Sequence, residues 1–400
     1  MEKPVRSSTS AGETACATIA SKGLALVGQA IWPAGAGQRP TPQRKRHLPA
    51  LTGLRFVLAI WVIVHHLTGK GMMLEPWVQT LPAGLQSLVR GGYLAVGTFF
   101  VLSGFVLARS YGEKEWDRSS LFCYGVARIA RVYPGYLLSL VIVSPFIYRS
   151  LLAGGSGSSR RVELLTNYGL VLQGWTGSLG VGWNTPAWSL SCKLFFYLCF
   201  PLLLMVFARR TWPRIIVAAL VSIVLPLMLA QLHVPWWWKP FYHTADFLVG
   251  IVASHLFDVL HEVNFHRIGI WLYGVAGSVG ALMVAFPQYL RGSSLDLNSS
   301  LRPVNVAILI GLAIGGGLPA RLLSSRLLKY LGQASYSMYI LHVPLLWWYS
   351  RYMWRHSPAP SPAAAAAIYI VGVIVVSALA FELVEEPANR MIRQWAHGKS

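Results

Sequence analysis

From residue 50 onward the chain alternates between apolar runs of about twenty residues and short breaks rich in polar residues, Gly and Pro. A helix of that length crosses the hydrocarbon core of a bilayer. The runs predict spans near 50–68, 92–110, 134–153, 186–207, 213–232, 240–258, 268–286, 303–319, 331–350 and 364–384. The segment 162–182 is broken by Gly and polar residues and reads as interfacial. The pattern therefore predicts an all-α fold, a polytopic transmembrane helical bundle of about ten spans.

Composition agrees with this. Of 400 residues, 54% are apolar and 12% are charged, and mean hydropathy is +0.51. The net charge of +20 raises the question of nucleic acid. With the N-terminus inside, however, 22 of the 34 Lys and Arg residues fall on one side of the predicted spans. That asymmetry is topological and places both termini in the cytoplasm. No basic face with interleaved aromatics stands clear of the membrane, so no nucleic-acid partner is expected. Residues 1–49 read as a disordered, basic N-terminal tail, 50–393 as the transmembrane domain, and 394–400 as a short C-terminal tail. Trp236, Trp237, Trp238, Trp347, Trp348 and Trp354 fall on the outer side, where they form an aromatic belt or stack on sugar rings.

Ionisable groups inside spans are costly and mark function by default. Arg55 and His66 are eleven residues apart in the first span. On an α-helix that offset is three turns plus about 20°, so both share a face about 16 Å apart. His65 points about 80° away from Arg55, so spacing favours His66. Arg128 and Arg131 share a face just before Pro134, which is placed to begin the third span. Paired guanidinium groups at a membrane surface suit a polyphosphorylated ligand. Further polar groups are Ser103 and Gly104 in the second span, Ser191 and Lys193 in the fourth, and His243 and Asp246 in the sixth. His342 lies in the ninth span, and Glu382, Glu385 and Glu386 close the tenth.

Taken in order, LTGLRF with His66, FFVLSGF, RIARVYP, the WSLS span, the FLVG span, LGQASYSMYILHVP and VEEP resemble the membrane acyltransferase 3 family. The resemblance runs from about Leu51 to Arg393. It implies an integral protein of the bacterial cytoplasmic (inner) membrane that moves an acyl group from acyl-coenzyme A to a hydroxyl, with acetyl-CoA the leading donor. It carries function onto Arg55 and His66, and donor binding onto Arg128 and Arg131. In the family an acidic residue usually follows the second Ser of WSLS by two positions, and here that position is Lys193.

The residue types suit that chemistry. An alcohol attacks a thioester once a base removes its proton, and His is the usual base near neutral pH. His66 is therefore expected to act as base and Arg55 to anchor the donor. Ser103, Ser191, Lys193, Asp246, His342 and Glu385 are expected to line the substrate or to support these groups. No metal is called for. The acceptor is expected to be a surface glycan, a lipid-linked sugar or a small natural product such as a macrolide. Two other readings fit the same residues: a proton-coupled transporter or flippase, and a family member impaired by Lys193.

Overall fold

The computed structural model describes residues 48–112, 116–153, 158–177, 184–207, 212–235, 238–262, 266–290, 297–353 and 361–397. The expected N-terminal tail therefore lies outside the described residues up to residue 47, as do Trp236, Trp237 and Trp354. The main helices are α1 (Pro49–Leu67), α2 (Ala95–Tyr111), α3 (Arg118–Ala153), α4 (Trp188–Phe207), α5 (Trp212–Gln231), α6 (Lys239–Glu262), α7 (His266–Ala285), α8 (Arg302–Ile314), α9 (Ser335–Trp348), α10 (Pro362–Ala380) and α11 (Glu386–His397). Among the described residues there is no strand, and eight helical runs are long and apolar enough to cross a membrane. The predicted spans 213–232 and 331–350 fall on α5 and α9 but are not among those eight. The protein is an integral membrane protein with an all-α fold.

Burial separates inner helices from lipid-facing ones. In the run Ala83–Tyr111, which ends in α2, 78% of the apolar window is buried, against 22% in α7. Trp271, Val275, Val279 and Leu282 of α7 stay exposed, as hydrocarbon solvation permits. Helix α1 is the opposite case and feeds three apolar clusters. Leu58 and Val62 pack towards α2, α4 and α6. Ala50 and Leu51 join α2, α6 and α8. Ala59, Ile63 and Leu67 meet α9 and α10.

Helices α2 and α6 meet backbone to backbone. A Cβ at Gly104 would collide with the Phe247 carbonyl, and one at Gly250 with that of Val101. Small residues permit such an approach within a membrane, where dispersion rather than water drives helix association. Ser103, beside Gly104, returns its hydroxyl to the Phe99 carbonyl of its own helix at 2.7 Å.

Two helix boundaries differ from expectation. Pro134 does not begin a span: α3 is continuous for 36 residues, with Pro134 and Pro145 inside it. Membrane helices tolerate internal Pro when neighbouring groups satisfy the freed backbone. The span expected over 303–319 stops at Ile314, because Gly315, Gly316 and Gly317 take φ values of 84°, 100° and 69°. Those values suit Gly and end the helix.

The α2–α6 contact yields the first prediction. Gly250→Ala should cost about 1–3 kcal/mol through overpacking. It should be read as a lower melting temperature in detergent, with Gly274→Ala on lipid-facing α7 as the control that moves little. Equal melting temperatures for both variants would contradict the close approach.

Candidate active site

A cavity of about 620 Å³ opens between α1, α2, α4, α5, α6 and the residues that lead into α8. His65, His66, Tyr93, Trp188, His243 and Tyr339 line it, among others. Both histidines of α1 reach its wall, so helical phase alone does not exclude His65. Their partners separate them. His65 Nδ1 lies 2.5 Å from the Arg90 carbonyl, and the ring packs on Tyr93. His66 Nδ1 lies 2.9 Å from the Val62 carbonyl of its own helix. A carbonyl only accepts, so in the neutral ring Nδ1 carries the proton and Nε2 keeps its lone pair. His342 packs behind His66, with ring centroids 4.8 Å apart and its own Nδ1 2.7 Å from the Tyr339 carbonyl. It is fully buried and does not line the cavity.

A second group of residues gathers positive charge. Arg55, Arg131 and Lys193, from α1, α3 and α4, are electrostatic neighbours. Arg131 is ion-paired with buried Glu385, which also accepts from Ser337 at 2.7 Å. Among the described residues Arg55 and Lys193 form no ion pair. The Lys193 ammonium sits 5.7 Å from the Phe99 and Tyr339 ring centroids and 5.9 Å from that of Tyr336. Tyr339 also lines the cavity, so one aromatic ring separates this cationic group from the space beside His66. Arg128 stands against Tyr111, Tyr124 and Tyr197, with its guanidinium carbon 5.6–5.7 Å from their centroids. It donates to the Tyr111 hydroxyl at 3.2 Å. Arg393 of α11 lies within electrostatic reach of Arg128 and Arg131.

Asp246 is 1% exposed and occupied on both oxygens. Oδ1 accepts from Arg302 Nε at 2.6 Å, and Oδ2 accepts from His243 Nδ1 at 2.7 Å and Asn298 Nδ2 at 3.2 Å. It is therefore no partner for Lys193. Glu382 is bonded to Tyr330 and does not serve either.

Several expected site residues have structural work instead. Ser191 is buried, donates to the Val171 carbonyl at 2.6 Å and accepts from the Gly174 amide at 2.9 Å. It pins the 171–174 turn and does not line the cavity. Ser103 is likewise committed to its own helix. Trp348 donates to the Ile142 carbonyl at 2.8 Å, tying α9 to α3, whereas Trp238 and Trp347 are exposed. His243 and Arg302 belong to the cavity wall, though the sequence reading did not count them as site residues. The His243/Asp246 spacing of three residues on one helix was the available signal.

Comparison with known proteins now bears on this geometry. The acyltransferase 3 family, described as an acyltransferase domain, matches residues 48–382. The chain belongs to that family. It is 29% identical to acyltransferase MdmB of Streptomyces mycarofaciens over 88% of this chain and 94% of that protein. It is 24% identical to O-acetyltransferase OatA of Staphylococcus aureus (strain NCTC 8325 / PS 47), over 86% of this chain and 58% of OatA. It is 22% identical to peptidoglycan O-acetyltransferase OatA of Listeria monocytogenes, over 88% of this chain and 57% of that protein. The chain thus spans little more than half of each OatA. No solved structure matches. Membership makes the protein a membrane acyltransferase, an enzyme, and the transporter reading gives way to it.

Lys193 stands where the resemblance led us to expect an acid, and its surroundings define a test. It stands among cations with no acid compensating for it, so Lys193→Glu gives Arg55 and Arg131 a buried carboxylate to pair with. The variant should melt higher in detergent and turn over faster. A slower but more stable variant would show Lys193 to be an adapted part of the site.

Proposed function

We propose that this acyltransferase moves an acetyl group from acetyl-coenzyme A to a hydroxyl of a glycan or a small natural product, with His66 as general base. The observation that carries this reading is the seat of His66 on the cavity wall, with Nδ1 held by the Val62 carbonyl of its own helix and buried His342 packed behind its ring. The His66 Nε2 lone pair is free to accept the hydroxyl proton. The alcohol oxygen then forms a bond to the thioester carbonyl carbon and the C–S bond breaks. The departing thiolate takes the proton back from the imidazolium, so the enzyme returns to its starting state.

The cationic group supports the donor assignment. Coenzyme A is a polyanion, and Arg55, Arg128, Arg131 and Arg393 outnumber the carboxylates within their reach, Glu385 and Glu386. Guanidinium forks match phosphate oxygens, and charge at membrane depth strengthens the attraction. We place this donor end towards the cytoplasm, following the positive-inside asymmetry, and the protein in the bacterial inner membrane. MdmB covers the same length of chain and carries the name acyltransferase. The Listeria relative is a peptidoglycan O-acetyltransferase. These names support a natural product or a cell-wall glycan as acceptor.

Two measurements test the reading. His66→Ala should abolish transfer of radiolabelled acetyl groups from acetyl-CoA while leaving the melting temperature unchanged. His65→Ala should retain at least a tenth of the parent rate. Equal losses would move the base to His65. Arg128→Gln should raise the donor KM about tenfold, about 1.4 kcal/mol, and barely change the acceptor KM. Raising salt should weaken the parent's donor binding, because charge-assisted contacts near water are screened. An unchanged donor KM at all ionic strengths would reduce Arg128 to topological charge.

A further inference from the structure

Besides His65 and His66, the cavity wall carries His243, whose geometry the transfer step above does not use. His243 is fixed from three directions. Its Nδ1 donates to Asp246 at 2.7 Å, its ring stacks on Trp188 at 5.3 Å and 30°, and Phe100 packs against it at 4.9 Å. Asp246 is itself immobilised by Arg302 and Asn298, which come from the residues leading into α8. Because a carboxylate only accepts, Nδ1 carries the proton, and in the neutral ring Nε2 presents a lone pair. The His243 side chain keeps 19% of its surface open although Asp246 beside it keeps 1%. That open surface belongs to a residue lining the same cavity as His66.

A carboxylate that orients an imidazole through Nδ1 is more than charge neutralisation requires. Arg302 alone balances Asp246, and a neutral His adds no charge to the pair. What the His adds is an oriented acceptor atom at the cavity surface. The Asp246–Arg302 pair is internally neutral, in contrast to the unpaired cations around Arg55. An oriented acceptor atom beside an internally paired Asp246 offers a hydroxyl a hydrogen-bond partner that a phosphate oxygen, which only accepts, cannot use.

We propose that His243, held by Asp246, is an acceptor-binding residue. Its Nε2 accepts a hydrogen bond from a hydroxyl of a polyhydroxylated acceptor, and so sets which hydroxyl reaches His66. This rests on the transferase reading above, and the two fail differently. Donor chemistry at Arg128 and His66 does not involve His243, whereas acceptor recognition does.

The test pairs two isosteres. His243→Asn keeps an amide near Nδ1, able to donate to Asp246, but has nothing at Nε2. His243→Gln places its amide near Nε2. The probes are methyl N-acetylmuramic acid glycoside and the macrolide erythromycin, with radiolabelled acetyl-CoA as donor. We expect His243→Asn to raise the KM of the acylated probe at least tenfold while the donor KM moves less than twofold. His243→Gln should recover part of the loss, and both variants should melt within a few degrees of the parent. Independently, diethylpyrocarbonate should modify His243 in the parent, as read by mass spectrometry, and the accepted probe should shield it where coenzyme A does not. An acceptor KM unchanged in His243→Asn overturns the proposal. So does a His243 that neither probe shields, including in a parent that releases thiol without acylating either probe. A parent that binds no acetyl-CoA and acylates nothing, yet whose His243 one probe shields, sinks the transferase reading and leaves the subsite standing.

Discussion

A carboxylate at membrane depth survives only when donors replace the water it has lost, and Asp246 is the point where this chain meets that demand in full. Arg302, His243 and Asn298 converge on its two oxygens from α6 and from residues at the start of α8. The consequences reach outward. The pair fixes α6 against α8, and α6 is already pressed onto α2 at Gly104 and Gly250. Those three helices supply part of the cavity wall, with α1, α4, α5 and Tyr339 of α9. Without Asp246, Arg302 would be a buried unpaired cation and the wall carrying His243 would have no anchor.

The rest of the charge is distributed differently. With 14 acids against 34 Lys and Arg residues, most cations have no acid to meet. At the surface water and lipid headgroups solvate them. Around Arg55 they do not have that option, and only Arg131 has found a carboxylate, Glu385. The aromatic rings around Lys193 and Arg128 supply part of what is missing, since a ring face attracts a cation. Clustering several cations beside a single buried carboxylate raises the energy of the empty site. A polyanionic ligand would lower it again, which is how the proposed donor site would turn repulsion within the empty protein into affinity.

Much of this was legible in the sequence. The apolar runs located the helices because a bilayer fixes their length, and the ionisable residues within them marked the region of the site because charge there is expensive. Arg55, His66, Lys193 and Asp246 were visible for that reason. What was not legible depends on partners distant in sequence. Ser191 looks like a free hydroxyl in the fourth span until the turn at Val171 and Gly174 takes both its bonding directions. Arg302 precedes the expected span by one residue and reads as a loop charge until Asp246, 56 positions earlier, is seen against it. Pro134 resembles a helix start, yet the chain on both sides continues α3. Local rules predict local structure, and the pairing of polar groups in a membrane is not local.

His66 and His243 bring these points together. Each has its Nδ1 committed, but to different acceptors: His66 to a neutral carbonyl one turn back, His243 to a carboxylate. The carbonyl behind His66 fixes its tautomer, which is what the proposed general base requires. A carboxylate held by three donors fixes the His243 ring in one orientation, and under the acceptor-binding proposal that suits a group that holds a hydroxyl in place. The same side chain in one cavity is thereby given two tasks by the atom placed behind it, and the separation follows from where the fold spends its few buried acids.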